Sequence, residues 1–177
     1  MIIGAGSASW RIVRDLAARL PMMLLPRWLD NHSWPVCIED VVYALVGGLD
    51  AERFEPGWYE LPGPERLSHR ETLERVARRI GRHPMMLGVP VVTPSLSSYW
   101  IAMMTRSDLR MARELVEGLR EDLDPQGEPA WPRLPRTTPS PLDDAIDHAL
   151  ADESAGGLPS ADTRRRILSL VEALPGA

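Results

Sequence analysis

The chain has 177 residues, enough to bury a core of its own, and its length suits one domain or a domain with an appendage. It is 44% apolar and 25% charged, as ordinary globular proteins are, and its net charge of -5 gives no electrostatic reason to expect nucleic acid. All 20 Lys-plus-Arg positions are arginine, which excludes a lysine Schiff base, a lysine general base and a phosphate-loop lysine, and the single cysteine excludes an internal disulfide.

Cys37 stands between Val36 and Ile38 and reads as a small buried hydrophobe rather than a reactive thiol. No apolar run approaches the length of a membrane span and no charged-then-apolar leader opens the chain, so the cytoplasm is the expected compartment.

Met1-Ile2-Ile3 reads as a strand end, followed by the turn Gly4-Ala5-Gly6-Ser7-Ala8-Ser9. A dinucleotide loop would have glycine where Ser9 stands and an acidic strand end about twenty residues on. Asp30 lies instead in Arg27-Trp28-Leu29-Asp30-Asn31-His32, which does not read as a strand end. The expectation is a strand whose beginning, and everything before it, is missing.

Residues 9–20 carry Trp10, Val13, Ala17 and Leu20 at helical spacing, and Pro21 stops that helix. Met22 to Leu25 reads as a short buried strand closed by Pro26, and Trp34 to Cys37 as a second extended run after a polar turn. Glu39 and Asp40 favour a helix start, and Val41, Val42, Ala44, Leu45 and Leu49 make that helix largely apolar, ending near Gly47-Gly48. Trp58 to Leu61 alternates like a strand.

Ser68 with Glu71 forms a capping box ahead of the stripe Leu73, Val76, Ala77 and Ile80, with Gly81 as the stop. Met86 to Val92 reads as extended, then 96–104 and 108–119 as helices. Six prolines in 124–141 mark a linker or an arm laid over the domain. Two tail helices follow: one carries Leu142, Ala145, Ile146 and Ala149. The other is capped by Ser160 and carries Ile167, Leu168, Val171 and Leu174, with Arg164, Arg165 and Arg166 as a solvated face.

Several segments together carry a family resemblance. They are Pro26-Arg27-Trp28-Leu29, Trp34 through Val42 with its hydrophobic-x-Asp-Val helix start, Tyr59 through Glu65 with a Gly-Pro turn, Leu67 through Glu71, and Leu96 through Ile101 with Thr105 beyond. Their order resembles the latter part of extended short-chain dehydrogenase/reductases (SDRs). The local motifs look like the atypical, NmrA-like branch related to nucleotide-binding accessory subunits of respiratory complex I.

The resemblance covers residues 1–123. It implies an α/β fold: a helix-rich, substrate-side remnant of a Rossmann-type NAD(P)-binding domain, then a Pro-rich arm over 124–141 and a helical tail over 142–177. The turn Gly4, Ala5, Gly6 and Ser7 would follow the sixth parallel strand and face the nicotinamide end of a cleft. NAD(P)H is expected in the full-length form, with none bound tightly by this chain. Ser7 and Ser9 read equally well as a helix cap. Ser9, Arg14, Arg27, Trp28 and Tyr99 are the candidates for a small-molecule substrate, beside the plainer readings of ion pairs for the arginines and core packing for the aromatics.

Active members of that superfamily use a tyrosine with lysine four residues later. Here Gly47, Gly63 and Met103 stand four residues after Tyr43, Tyr59 and Tyr99, so no hydride-transfer pair exists in the chain. No catalytic residue is assigned. Glu39 and Asp40 read as helix-start carboxylates, and His32, His69, His83 and His148 are spread singly, so no metal site is expected. Three functions remain open: the substrate side of an NAD(P)-dependent oxidoreductase or epimerase-like protein, a non-catalytic nucleotide-sensing or assembly module, and an inactive truncated frame that self-associates through an exposed sheet edge.

Overall fold

The computed structural model describes residues 1–19, 22–89, 110, 117–156 and 159–174, the side chains of 22–25 and 86–89 excepted. Its architecture is mixed α/β, rich in helix with short strands. The chain divides into two compact units, Met1–Gly6 with Trp34–Glu65 and Pro125–Ala177, and Ser7–Ser33 with Arg66–Asp124.

The first unit is built on a parallel pair. Strand β1 (Ile2–Ile3) lies beside β4 (Val36–Cys37), Ile2 opposite Val36 and Ile3 opposite Cys37. β4 runs directly into helix α2 (Ile38–Gly47), whose first turn holds Glu39 and Asp40 against the positive end of the helix. A Cβ on Gly63 would overlap the backbone of Pro35, which is why glycine precedes Pro64 in that turn. Strand β5 (Tyr59–Glu60) pairs in parallel with β8 (Glu128–Pro129).

A 3-10 turn at Trp131–Arg133 then sinks Trp131 into a core with Val36, Tyr43, Ala44, Leu134 and Leu174, its indole N–H donating to the Pro62 carbonyl at 2.7 Å. The proline-rich segment is therefore an arm threaded through this unit, since its missing N–H groups suit edge and turn positions. Helix α4 (Leu142–Ser154) buries Leu142, Ala145, Ile146 and Ala149 and packs on β1 and β4. Helix α5 (Ala161–Glu172) is capped by Ser160, which accepts from the Thr163 N–H, and packs on α2.

In the second unit, helix α1 (Ala8–Arg19) packs on α3 (His69–Arg79). Strand β2 (Met22–Pro26) runs parallel to β7 (Met85–Val89), from Met22 opposite Met85 to Pro26 opposite Val89. A 3-10 turn, Arg27–Asp30, leads to β3 (His32–Ser33), antiparallel to β6 (Leu67–Ser68). The capping box forms as expected: Ser68 Oγ accepts from the Glu71 N–H at 3.1 Å, and Glu71 accepts from the Ser68 N–H at 2.8 Å. Gly81 takes φ +72°, the left-handed stop after α3. Arg66 grips both Asp122 and Asp124, and the His32 N–H donates to Asp122, which fixes the 122–124 segment to β3 and β6.

Several expectations need adjustment. In α1 the inward residues are Trp10, Ile12, Asp15 and Ala17, with Val13 only half-buried. Leu168 is exposed rather than part of a buried stripe, and Leu170 packs on the core instead. Leu45, Leu49 and Trp58 are exposed, so the apolar α2 turns part of its surface outward and the strand begins at Tyr59. Arg166 leaves the solvated face to pair with Glu39. The helix expected over 96–104, and most of that over 108–119, fall outside the described residues. No helix among the described residues is long and apolar enough to cross a membrane.

Candidate functional site

The opening turn has local physical causes for each of its glycines. Gly6 adopts φ +89°, a conformation that costs other residues about 1–2 kcal/mol. A Cβ on Gly4 would overlap the side chain of Ile38, so Gly4 permits close packing against α2. Ala5 between them is half-buried. In the second unit, Ser7 Oγ accepts from the Trp10 N–H at 3.4 Å and lies 3.1 Å from Ser9 Oγ, so both hydroxyls serve the start of α1.

The other candidates are distributed. Arg14 pairs with Asp15 at 2.6 Å, and Arg19 reaches the same carboxylate at 3.3 Å. Arg27 is exposed at the start of its 3-10 turn, while Trp28 beside it is half-buried. Tyr99 lies outside the described residues.

Among the described residues of the second unit, three buried polar atoms lack a hydrogen-bond partner: Trp28 Nε1, Ser33 Oγ and His69 Nε2. The β3–β6 register sets Ser33 opposite Leu67, and the His69 N–H donates to the Asn31 carbonyl at 3.0 Å. Ser33 thus lies in β3 and His69 at the first position of α3, one residue past β6. Burial pushes the His69 imidazole down to about 4, so it is neutral at physiological pH. The trio offers hydrogen bonds without charge.

In the first unit the neighbouring carboxylates Glu39 and Asp40 diverge. Asp40 is fully buried and receives Arg136 Nη1 at 2.5 Å, the Ser140 N–H at 2.7 Å and the Ser140 hydroxyl at 3.2 Å. The Arg136 N–H also donates to the Tyr43 hydroxyl at 2.9 Å. Asp40 thus fastens the arm to the start of α2. Glu39 takes Arg166 from α5, with Nη2 to Oε1 at 2.8 Å and Nε to Oε2 at 3.2 Å. Hydrogen bonds to Glu39 raise the guanidinium pKa.

Cys37 and His148 adjoin this pair. Cys37 is 1% exposed, and burial pushes its thiol up to about 12, while the Glu39 and Asp40 amides pull the other way. His148 Nδ1, from α4, stands 3.2 Å from Glu39 Oε1 but makes no hydrogen bond with it, because distance without alignment does not suffice. The ligand atoms of Cys37, Glu39 and His148 all lie within 4.8 Å of one another. None of Arg136, Ser140, His148 or Arg166 was legible as a partner, since each lies about a hundred residues from α2 and no local pattern reports such a pairing.

No protein-family model, no curated protein and no solved structure matches this chain.

Proposed function

We propose that the chain is the substrate-side portion of an atypical, NmrA-like SDR fold of Rossmann type, whose full-length form binds NAD(P)H in the cytoplasm. The observation that carries this reading is the order strand, glycine turn, helix in which β1 lies parallel to β4 and β4 opens α2 on the buried Asp40. Parallel strands with helical connections belong to open α/β sheets, which bind ligands at the carboxyl ends of their strands.

The turn after β1 is at such an end. Its left-handed Gly6 and close-packed Gly4 suit a tight border to a cofactor's reactive end, not a pyrophosphate cradle. NAD(P)H would supply hydride chemistry, and this chain brings no tyrosine–lysine pair to assist it. In the second unit, Ser33, His69 and Trp28 offer uncharged hydrogen-bonding atoms suited to a small neutral substrate.

The test compares NADPH binding, read by fluorescence titration, between these 177 residues and a form extended by the in-frame upstream sequence. The longer form is expected to carry a Gly-x-x-Gly-x-x-Gly strand–turn–helix and to bind, while the 177 residues do not. A stop codon directly upstream, or a longer form that ignores NADPH, overturns the reading. A non-catalytic assembly role is favoured by the exposed Leu45, Leu49 and Trp58. Turnover by the longer form across a carbonyl panel would count against that second reading.

A further inference from the structure

Cys37, Glu39 and His148 come from the end of β4, the first turn of α2 and the middle of α4, three elements that pack together in the first unit. They bring one sulfur, one carboxylate oxygen and one imidazole nitrogen within 4.8 Å of one another. We propose that these three side chains form a site for a divalent transition metal of the zinc type.

The spacing is the first support. Donors bound at about 2.0–2.1 Å around a tetrahedral ion stand roughly 3.3 Å apart, and Glu39 Oε1 and His148 Nδ1 are 3.2 Å apart. The second support is the state of His148. Its Nδ1 is buried and makes no hydrogen bond, although a carboxylate oxygen lies within reach. A metal ion between the two atoms accounts for an approach that a hydrogen bond does not.

The donor chemistry is the third. A thiolate, an imidazole and a carboxylate together suit zinc or cobalt better than magnesium or calcium, which prefer oxygen alone. Binding expels the Cys37 proton to solvent, the sulfur lone pair passes to the ion, and two formal negative charges then face a divalent cation.

Arg166 does not block the ion. A carboxylate offers about four lone-pair sites. The guanidinium sets Nη2 and Nε on Oε1 at 2.8 and 3.1 Å and shares the same Nε with Oε2 at 3.2 Å, so an ion on Oε1 displaces only the Oε1 arm of that shared Nε–H and leaves the other two contacts in place. Arg166 acts as an outer partner that holds the carboxylate in place, a common arrangement around protein-bound metals. Three protein ligands leave a fourth position for water.

The site stands on residues independent of the NAD(P)H reading, and its test uses the chain as it is. Cobalt(II) chloride is titrated into the metal-free protein, and absorption is followed for the sulfur-to-cobalt charge-transfer band and the visible bands of a four-coordinate ion. Saturation near one equivalent is expected, with the bands lost on adding zinc. Cys37→Ser should abolish the charge-transfer band. His148→Gln, at a half-exposed position that tolerates the change, should weaken cobalt binding at least tenfold while circular dichroism stays unchanged. Absence of a charge-transfer band in the wild-type protein overturns the proposal. So does equal cobalt affinity in folded His148→Gln.

Discussion

Replacing Asp40 by alanine removes the acceptor that joins the arm to the start of α2. Breaking a buried ion pair by deleting one member costs about 3–5 kcal/mol, because the remaining charge is stranded. The Arg136 side chain is 34% exposed and can recover part of its hydration, which moves the expected loss towards the lower end of that range. The Ser140 N–H also loses its acceptor, adding about 1 kcal/mol. Asp40→Ala should therefore cost about 3–4 kcal/mol.

The complementary deletion is worse. Arg136→Ala leaves a carboxylate with no exposure and only Ser140 to satisfy it, so its cost should approach about 5 kcal/mol. Asp40→Asn keeps the shape and one acceptor and should fall below both. Urea unfolding at neutral pH measures all three as shifts in midpoint at constant slope. Asp40→Ala within about 1 kcal/mol of wild type, or Arg136→Ala milder than Asp40→Ala, would refute a buried ion pair as the fastening of the arm.

Gly63→Ala forces a methyl group into the backbone of Pro35, which cannot rotate away, so it should lower the melting temperature far more than Gly6→Ala, whose added Cβ meets nothing within 4 Å. Gly6→Ala should cost only the left-handed conformation, about 1–2 kcal/mol, and calorimetry ranks the two. Ser68→Ala removes the side-chain half of the capping box and should cost about 1 kcal/mol in denaturant unfolding, with Ser68→Thr largely retaining stability. His69 is neutral in the folded chain down to about 4, whereas an unfolded histidine titrates near 6.5. Stability from this group is thus complete above about 6.5 and is lost as pH falls to about 4, because the unfolded state binds the proton first. His69→Gln should flatten the stability profile across that window, and an unchanged slope would remove His69 as its source.

Legibility followed the range of the interactions. The Ser68–Glu71 box, the Gly81 stop, the Ser160 cap and the stripe Leu142, Ala145, Ile146 and Ala149 are set by neighbours a few residues apart, and each appears where the pattern puts it. Patterns based on burial alone were less reliable. Leu168 and Trp58 look as apolar as Leu170 and Trp131, yet only the latter two meet a partner surface. The proline-rich segment marked a change of composition at Asp124, where the chain does pass from one unit to the other. It did not reveal that the residues beyond return to pack on β1, β4 and α2.

By itself, the sequence determined the helix starts at Ser68 and Ser160, the stop at Gly81, the arginine-only basic set and the absence of a tyrosine–lysine pair, because these depend on residue identity and local backbone chemistry. Only the tertiary structure decided that Asp40 holds Arg136, that Glu39 holds Arg166, and that Cys37, Glu39 and His148 converge. Those groupings join residues from opposite ends of the chain. They arise when β1 and β4 pair, the arm reaches the start of α2, α4 packs on the two strands and α5 packs on α2, events with no counterpart in any local stretch of sequence.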